Sequence, residues 1–191
     1  MLPFAFSEPV RTDRLAIRRI EADDLDDMYA YQRRADVCQY LLTGPRTLDE
    51  LRERIATYMS ATELAGDGDF WQLAVELPAA AGQRSRVIGE LYFKVASVEL
   101  MTAEIGWVFN PDFHGRGFAT EAATALMRLA FGELGLHRLL ANLDPRNSAS
   151  IALCLRLGMR HEAHFVKDLK VRGRWEDTGI YAILEEEWAA R

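Results

Sequence analysis

The chain has 191 residues, 49% of them apolar and 27% charged, with a formal net charge of −6. That length and balance fit one globular domain with a full hydrophobic core. The acidic excess speaks against sequence-independent nucleic-acid binding and suits a cationic acceptor such as an amine.

Alternation over residues 15–18 predicts a first strand. Ala22-Asp23-Asp24 opens a helix to about Arg33, with carboxylates at the positive end of its dipole. Thr47-Leu48-Asp49-Glu50 is a capping box, and a helix should run from it through roughly Glu63. Gly66-Asp67-Gly68-Asp69 then turns the chain. Residues 70–77 and 87–95 read as strands joined by a hairpin loop, Pro78-Ala79-Ala80-Ala81-Gly82-Gln83. A strand over 102–110 leads through glycines into an amphipathic helix over 119–134. A short strand over 137–143 is broken by Asp144-Pro145. A helix over 148–157 ends at Gly158, which serves as its C′ residue. Residues 159–167 and 175–184 form a last strand pair around Arg172-Gly173. The order βααβββαβαββ predicts a single α/β domain over residues 1–191, with helices on both faces of the sheet.

Cys38 and Cys154 are the only cysteines and form no CxxC pair. Neither a disulfide scaffold nor a zinc ribbon is expected, and a reducing cytoplasm is. The opening Met1-Leu2-Pro3-Phe4-Ala5-Phe6 lacks the features of a secretory signal. No segment reaches the roughly 18–20 apolar residues of a membrane span.

The richest stretch runs Glu104-Ile105-Gly106-Trp107-Val108-Phe109-Asn110-Pro111-Asp112-Phe113-His114-Gly115-Arg116-Gly117-Phe118-Ala119-Thr120-Glu121-Ala122. A strand feeds a glycine turn, and the turn feeds a helix N-terminus. Unpaired backbone N–H groups and the positive end of a helix dipole make such a place an anion site. Gly115 and Gly117 permit positive φ and close approach of a ligand. A phosphate-bearing ligand is expected. The P-loop pattern fails because no Lys-Ser or Lys-Thr follows, and the dinucleotide fingerprint fails because no third glycine follows Gly115-Arg116-Gly117.

The order His114-Gly115-Arg116-Gly117-Phe118-Ala119 resembles the Gln/Arg-x-x-Gly-x-Gly/Ala loop of the GNAT acetyltransferases, with His in the first position. Asn147-Ser148-Ala149-Ser150, followed by Leu155-Arg156-Leu157-Gly158-Met159, resembles that superfamily's Asn-x-x-Ser…Leu-Gly-Phe segment. Thr12-Asp13-Arg14-Leu15-Ala16-Ile17-Arg18 is similar to its Thr-x-Arg-Leu-x-Leu-Arg opening. Gly173-Arg174-Trp175-Glu176-Asp177, with Tyr181 and Glu187-Trp188, is similar to its closing hairpin. Together these resemble the RimJ/RimL-like branch of ribosomal-protein N-terminal acetyltransferases, over a core of about residues 11–188. The resemblance implies a GNAT fold: a mixed, mostly antiparallel sheet of about seven strands, splayed at two central parallel strands.

It also implies chemistry. Acetyl-CoA would be the cosubstrate, no metal would take part, and the acceptor would be a primary amine, either a protein N-terminal α-amine or a small molecule. The pantetheine arm would lie in the splayed gap against the backbone of Trp107, Val108 and Phe109. The pyrophosphate would meet the backbone of His114, Gly115, Arg116, Gly117, Phe118, Ala119 and Thr120, and the Arg116 side chain would add charge-assisted contacts. Asn147 either caps the next helix or hydrogen-bonds the pantetheine. Acetyl transfer needs a held thioester, a deprotonated amine and a stabilised thiolate. Glu104, early on the strand that leads to the glycine loop, where many GNAT enzymes place a carboxylate, is the first candidate for the base; a carboxylate near pKa ~4.3 is a weak base toward an ammonium unless burial raises it or a water relays the proton. Glu90 is the second, and Glu121 reads as structural. Many family members place Tyr seven residues after the Asn. Cys154 stands there, and it reads as packing. Ser150 is the candidate donor to the thiolate, aided by the helix N-terminus.

Other readings have less to stand on. His161-Glu162-Ala163-His164 is one residue short of a zinc-protease motif, and on a strand its histidines point to opposite faces. No Gly-x-Ser-x-Gly is present. Trp71, Trp107 and Trp175 read as core or pocket walls. The acceptor pocket is expected from the loop around Cys38 to Arg46 and the hairpin around Arg172 to Trp175. Rival functions are a non-catalytic acyl-CoA-binding or sensor module on the same fold and a Rossmann-type nucleotide binder. Similar proteins include dimers, so a homodimer is expected.

Overall fold

The computed structural model describes residues 3–79 and 84–191. Two hydrophobic layers sandwich one sheet. The main strands are β2 (Val10–Arg11), β3 (Ala16–Arg19), β5 (Phe70–Leu77), β6 (Arg86–Ser97), β7 (Thr102–Phe109), β8 (Arg138–Leu143), β9 (Arg160–Val171) and β10 (Arg174–Leu184), after β1 (Phe4–Ala5) pairs off with β4 (Glu63–Leu64). The eight-stranded sheet has the order β2-β3-β5-β6-β7-β8-β10-β9. Every neighbouring pair is antiparallel except β7–β8, which is parallel. Seven of these strands are those expected, and β2 adds an eighth at the edge.

The parallel pair determines the site. Its register holds for Thr102↔Arg138, Ala103↔Leu139 and Glu104↔Leu140, and goes no further. On their outer sides the strands stay paired to their ends, at Gly89↔Phe109 and Gly179↔Leu143. The inner edges of Ile105 to Phe109 and Ala141 to Leu143 therefore part, and the sheet opens at the carboxyl ends of β7 and β8.

Period-two alternation sorts side chains to two cores. Trp71, Leu73, Val75, Phe93 and Ile105 join Ala122, Leu126, Leu153 and Cys154 from α3 (Phe118–Arg128) and α4 (Ser148–Arg156), with Leu157 just past the end of α4. On the opposite face Ala74 and Val87 join Met28 and Tyr31 of α1 (Leu25–Gln32), and Leu51, Ile55 and Tyr58 of α2 (Leu48–Ser60). Leu51, Ile55 and Tyr58 recur at helical spacing, so α2 presents one apolar stripe. Its start is fixed by both bonds of the capping box: Glu50 N–H to Thr47 Oγ1 at 3.3 Å and Thr47 N–H to Glu50 Oε2 at 2.7 Å.

Several boundaries differ from expectation. The helix expected to reach Glu63 ends at Ser60, because Glu63 enters the small pairing of β4 with β1. The helix expected as one piece over 119–134 begins at Phe118 and widens over Leu129–Glu133, where the Leu134 N–H bonds to the Leu129 carbonyl five residues back. That widening accompanies stacking of Phe131 on Trp188 of α5 (Glu185–Ala189), a terminal helix the pattern gave no sign of. The last strand pair is longer than expected, and β9 is exposed along almost its whole length. Within the loop expected at 78–83, residues 80–83 lie outside the described residues.

Candidate active site

At the end of β7 the chain makes a short 3₁₀ turn, Pro111–Phe113, started by Asn110, whose side chain accepts from the Asp112 N–H at 3.1 Å. His114 follows with extended backbone, and its ring Nε2 lies 3.1 Å from the Phe109 carbonyl. A carbonyl only accepts, so the neutral ring carries its proton on Nε2 here. The histidine in the first loop position thus straps the turn back onto the strand. Gly115 and Gly117 follow at φ 73° and 79°, the left-handed region. A Cβ at Gly115 would meet nothing, so it is the backbone conformation that calls for glycine there.

Gly117 is the N-cap of α3 and brings no side chain to cap it. The first intrahelical bond is Glu121 N–H to Gly117 carbonyl, 3.0 Å. Among the described residues, the N–H groups of Gly115, Arg116, Gly117, Phe118, Ala119 and Thr120 donate to nothing. The His114 N–H is already engaged by the Pro111 carbonyl, so the open run begins one residue later than the motif suggests. Arg116 lies over the Phe113 ring at 5.6 Å and makes no ion pair among the described residues. Free N–H groups, the helix dipole and an unneutralised guanidinium converge where an anion would sit.

The loop is braced from an unexpected quarter. Glu121 on α3 accepts from the Thr12 hydroxyl at 2.6 Å, the Arg14 N–H at 3.0 Å and the Arg14 Nε at 2.7 Å. Arg14 also donates to the Arg116 carbonyl at 2.9 Å and covers the Phe118 ring at 4.6 Å. Burial works against the Glu121 charge, but Thr12 and Arg14 outweigh it and hold its carboxyl below the usual range. The Thr-x-Arg-Leu opening and the glycine loop are therefore one structural unit. Both motifs are legible in the sequence, but their contact across more than a hundred residues is not.

Across the gap stands the N-terminus of α4. The Asn147 Oδ1 accepts from the Ser150 N–H at 3.0 Å, which makes Asn147 the helix cap. The Trp107 indole Nε1–H donates to Ser150 Oγ at 3.2 Å. This bond ties β7 to the first turn of α4, and it leaves the Ser150 O–H proton available to a further acceptor. Trp107 was expected to matter through its backbone and as a core or pocket wall; its indole also holds Ser150 in place. Cys154, one turn further, is fully buried in the core, and burial pushes its thiol up to about 12.

Glu104 occupies the last paired position of the parallel ladder, where the gap begins. Alternation turns its side chain to the α1–α2 face, opposite to Trp107. Its carboxylate is half-buried and makes no hydrogen bond or ion pair among the described residues. It lies near Tyr92, whose phenol is raised by burial and then by the Glu104 charge. Glu90 is different. It is 2% exposed, with its oxygens accepting from Gln32 Nε2 at 2.5 Å and Gln72 Nε2 at 2.8 Å. Burial pushes its carboxyl up to about 7, against the pull of the two amides. That value suits a base, but the two glutamines seal the group away from any acceptor.

The two segments expected to form an acceptor pocket do meet. Arg172 Nη2 donates to the Gln39 carbonyl at 3.0 Å, and a cavity of about 470 Å³ opens between them. The histidines of the His-Glu-Ala-His stretch have separate partners: His161 packs on Tyr181 at 4.9 Å, and His164 Nε2 lies 2.8 Å from Asp177.

Comparison with known proteins agrees with this geometry. Residues 14–160 match the acetyltransferase (GNAT) domain. An uncharacterized N-acetyltransferase of Bacillus subtilis (strain 168), YnaD, is 34% identical over 94% of this chain and 98% of its own. The [ribosomal protein uS5]-alanine N-acetyltransferase of Escherichia coli (strain K12) is 31% identical over 44% of this chain and 43% of its own. The crystal structure of a GNAT-family acetyltransferase from Bacillus anthracis superposes with a TM-score of 0.81, at 33% identity, over 93% of this chain and 99% of that one. A spermidine N-acetyltransferase from Vibrio cholerae, solved with CoA and spermine, shares the fold at a TM-score of 0.75 and 21% identity, over 93% of this chain and 99% of that one. Family model, full-length relative, splayed parallel pair and glycine loop agree: the chain is an acyltransferase and belongs to the GNAT family of N-acetyltransferases.

Proposed function

We propose that this enzyme transfers acetyl from acetyl-CoA to a primary amine, a protein N-terminal α-amine or a small-molecule amine, in the gap between β7 and β8. The observation that carries the reading is the run of free N–H groups from Gly115 to Thr120 beside the end of that gap. The pyrophosphate takes these donors, with Arg116 adding charge. The pantetheine arm fills the parted edge along Trp107, Val108 and Phe109, a strand-like ligand completing a broken ladder. The free amide of Asn147, whose oxygen already caps α4, faces that arm.

The amine attacks the thioester carbonyl, the C–S bond breaks, and CoA leaves as its thiolate. Glu104, directly or through a water, takes the proton from the amine. Ser150, held by Trp107 and with its O–H uncommitted, donates to the departing sulfur at the positive end of α4. The reported activities of relatives span a ribosomal-protein alanine and spermidine, so fold and loop leave the acceptor open. Two buried unpaired cysteines support a cytoplasmic setting.

An amine-panel assay that follows free CoA release, with mass analysis of products, tests the reading. One amine gaining a single acetyl group is the expected result. Release of CoA with no acetylated amine, or tight NAD binding with none for CoA, would contradict it.

A further inference from the structure

The cavity between the acceptor loop and the closing hairpin has a charge opposite to that of the whole molecule. Arg146, Arg172, Arg174 and Glu176 line it, with Gln39 and Tyr40. Arg146 is neutralised by Asp144 at 2.5 Å and Glu176 at 2.7 Å. Among the described residues the Arg172 guanidinium has only the Gln39 carbonyl, a dipole and not a charge. The Arg174 guanidinium makes no hydrogen bond or ion pair among the described residues. Two uncompensated guanidiniums therefore line one cavity of a chain whose net charge is −6.

The placement is specific. Arg146 immediately precedes the Asn147 cap, and Ser150 lies on the first turn beyond, so the cavity borders the open end of the β7–β8 gap. Arg172 is held at φ 47°, followed by Gly173 at 82°, a turn with two left-handed residues in which arginine is a costly choice. Asparagine is among the side chains best suited to that conformation. Local turn chemistry therefore does not account for the arginine, whereas a ligand would. Guanidinium forks match carboxylates in a planar, two-point geometry.

We infer that the cavity binds a carboxylate carried by the acceptor, so that the amine acetylated belongs to an anionic molecule rather than a polycation. This rests on the acetyl-transfer reading for its catalytic consequence, though not for the anion site itself. A polyamine would bring positive charge toward Arg172 and Arg174. An amino acid, or a peptide with an acidic residue beside its N-terminus, would bring the matching charge.

The test compares paired amines that differ only in a carboxylate: γ-aminobutyrate against its amide, and the peptide Ser-Asp-Gly-amide against Ser-Asn-Gly-amide, with spermidine as the cationic reference. The acid member of at least one pair should have a kcat/KM roughly ten- to a hundred-fold higher, the range of a hydrogen bond to a charged group. Preference in the first pair assigns a free small molecule, and in the second a peptide. The double variant R172N/R174Q preserves the turn and should collapse that ratio through KM, with acetyl-CoA affinity by calorimetry unchanged. A second arm titrates the CoA complex with glutarate and follows binding by NMR. Binding that the double variant loses supports the anion site even if no amine is acetylated; that result would remove the transfer reading alone. Preference for the amides or for spermidine in the wild type, an acid preference that survives in the double variant, or no glutarate binding together with no acid preference would overturn the inference.

Discussion

Ser150 stands at a point where three weak features add up: the first turn of a helix, a capped N–H and a hydroxyl already accepting from an indole. Ser150→Ala should lower kcat by roughly ten-fold or more, about 1.4 kcal/mol per factor of ten, with little change in acetyl-CoA affinity. Trp107→Phe removes only the positioning bond, so its effect on kcat should vanish in the Ser150→Ala background, a non-additivity that simple loss of packing would not produce. Glu104→Gln keeps shape and removes basicity. Its kcat should fall strongly at neutral pH and less at high pH, where more of the amine is already free; an unchanged pH–rate profile would take the base role away from Glu104. Glu90 makes a different expectation, about stability. Its folded pKa of about 7 lies above the ordinary 4.5, so the native state keeps a proton that the unfolded chain loses first. Its contribution is thus fully present below pH 4.5 and declines as pH rises to about 7. Glu90→Gln should be close to wild type in stability at pH 4.5 and clearly more stable at pH 8, by up to roughly 3 kcal/mol, with a correspondingly higher melting temperature. Equal melting of the two proteins at pH 8 would show that the buried carboxylate carries no such burden.

At the scale of elements, the glycine turn and the α3 N-terminus form the part that the proposed reading makes responsible for ligand binding. Gly117→Glu puts a side chain on a φ of 79° and a negative charge among the free N–H groups. Acetyl-CoA binding should disappear by calorimetry while circular dichroism shows an intact fold; unchanged affinity in the folded variant would refute the loop assignment. Much of this element was legible in the chain, because strand alternation, Pro111, two glycines and an amphipathic run are local signals. The capping box at Thr47 was legible for the same reason. The bonds that tie elements together were not. Arg14 and Glu121 lie 107 residues apart, and Trp107 and Ser150 lie 43 apart. No periodicity records such a pairing. Glu90 and Glu104 looked alike as strand carboxylates, and only the glutamines of α1 and β5 separate a sealed group from an open one. The two-residue strands β1, β2 and β4 are too short to carry a pattern, and the helix expected to reach Glu63 lost its end to one of them.

For the whole molecule, the sheet is a continuous platform with one planned defect. Outer pairing holds β7 and β8 to their ends while their shared ladder stops at Glu104↔Leu140. Two separate cores, one under α3 and α4 and one under α1 and α2, hold the halves of the platform from opposite faces. An open ladder in such a sheet leaves backbone groups seeking partners, and a strand-like ligand can supply them. Net charge at this scale is a sum over the surface, and the arginine-lined cavity is a local exception to its sign. Among the described residues no helix is long and apolar enough to cross a membrane. The central claim is that acetyl-CoA lies in the β7–β8 gap with its pyrophosphate on the α3 N-terminus. A crystal structure of the acetyl-CoA complex tests it most directly. The expected result is pyrophosphate oxygens within hydrogen-bonding distance of the N–H groups of Gly115 to Thr120, and the thioester sulfur beside Ser150 Oγ. Acetyl-CoA bound with its pyrophosphate elsewhere and the gap unfilled would contradict the account.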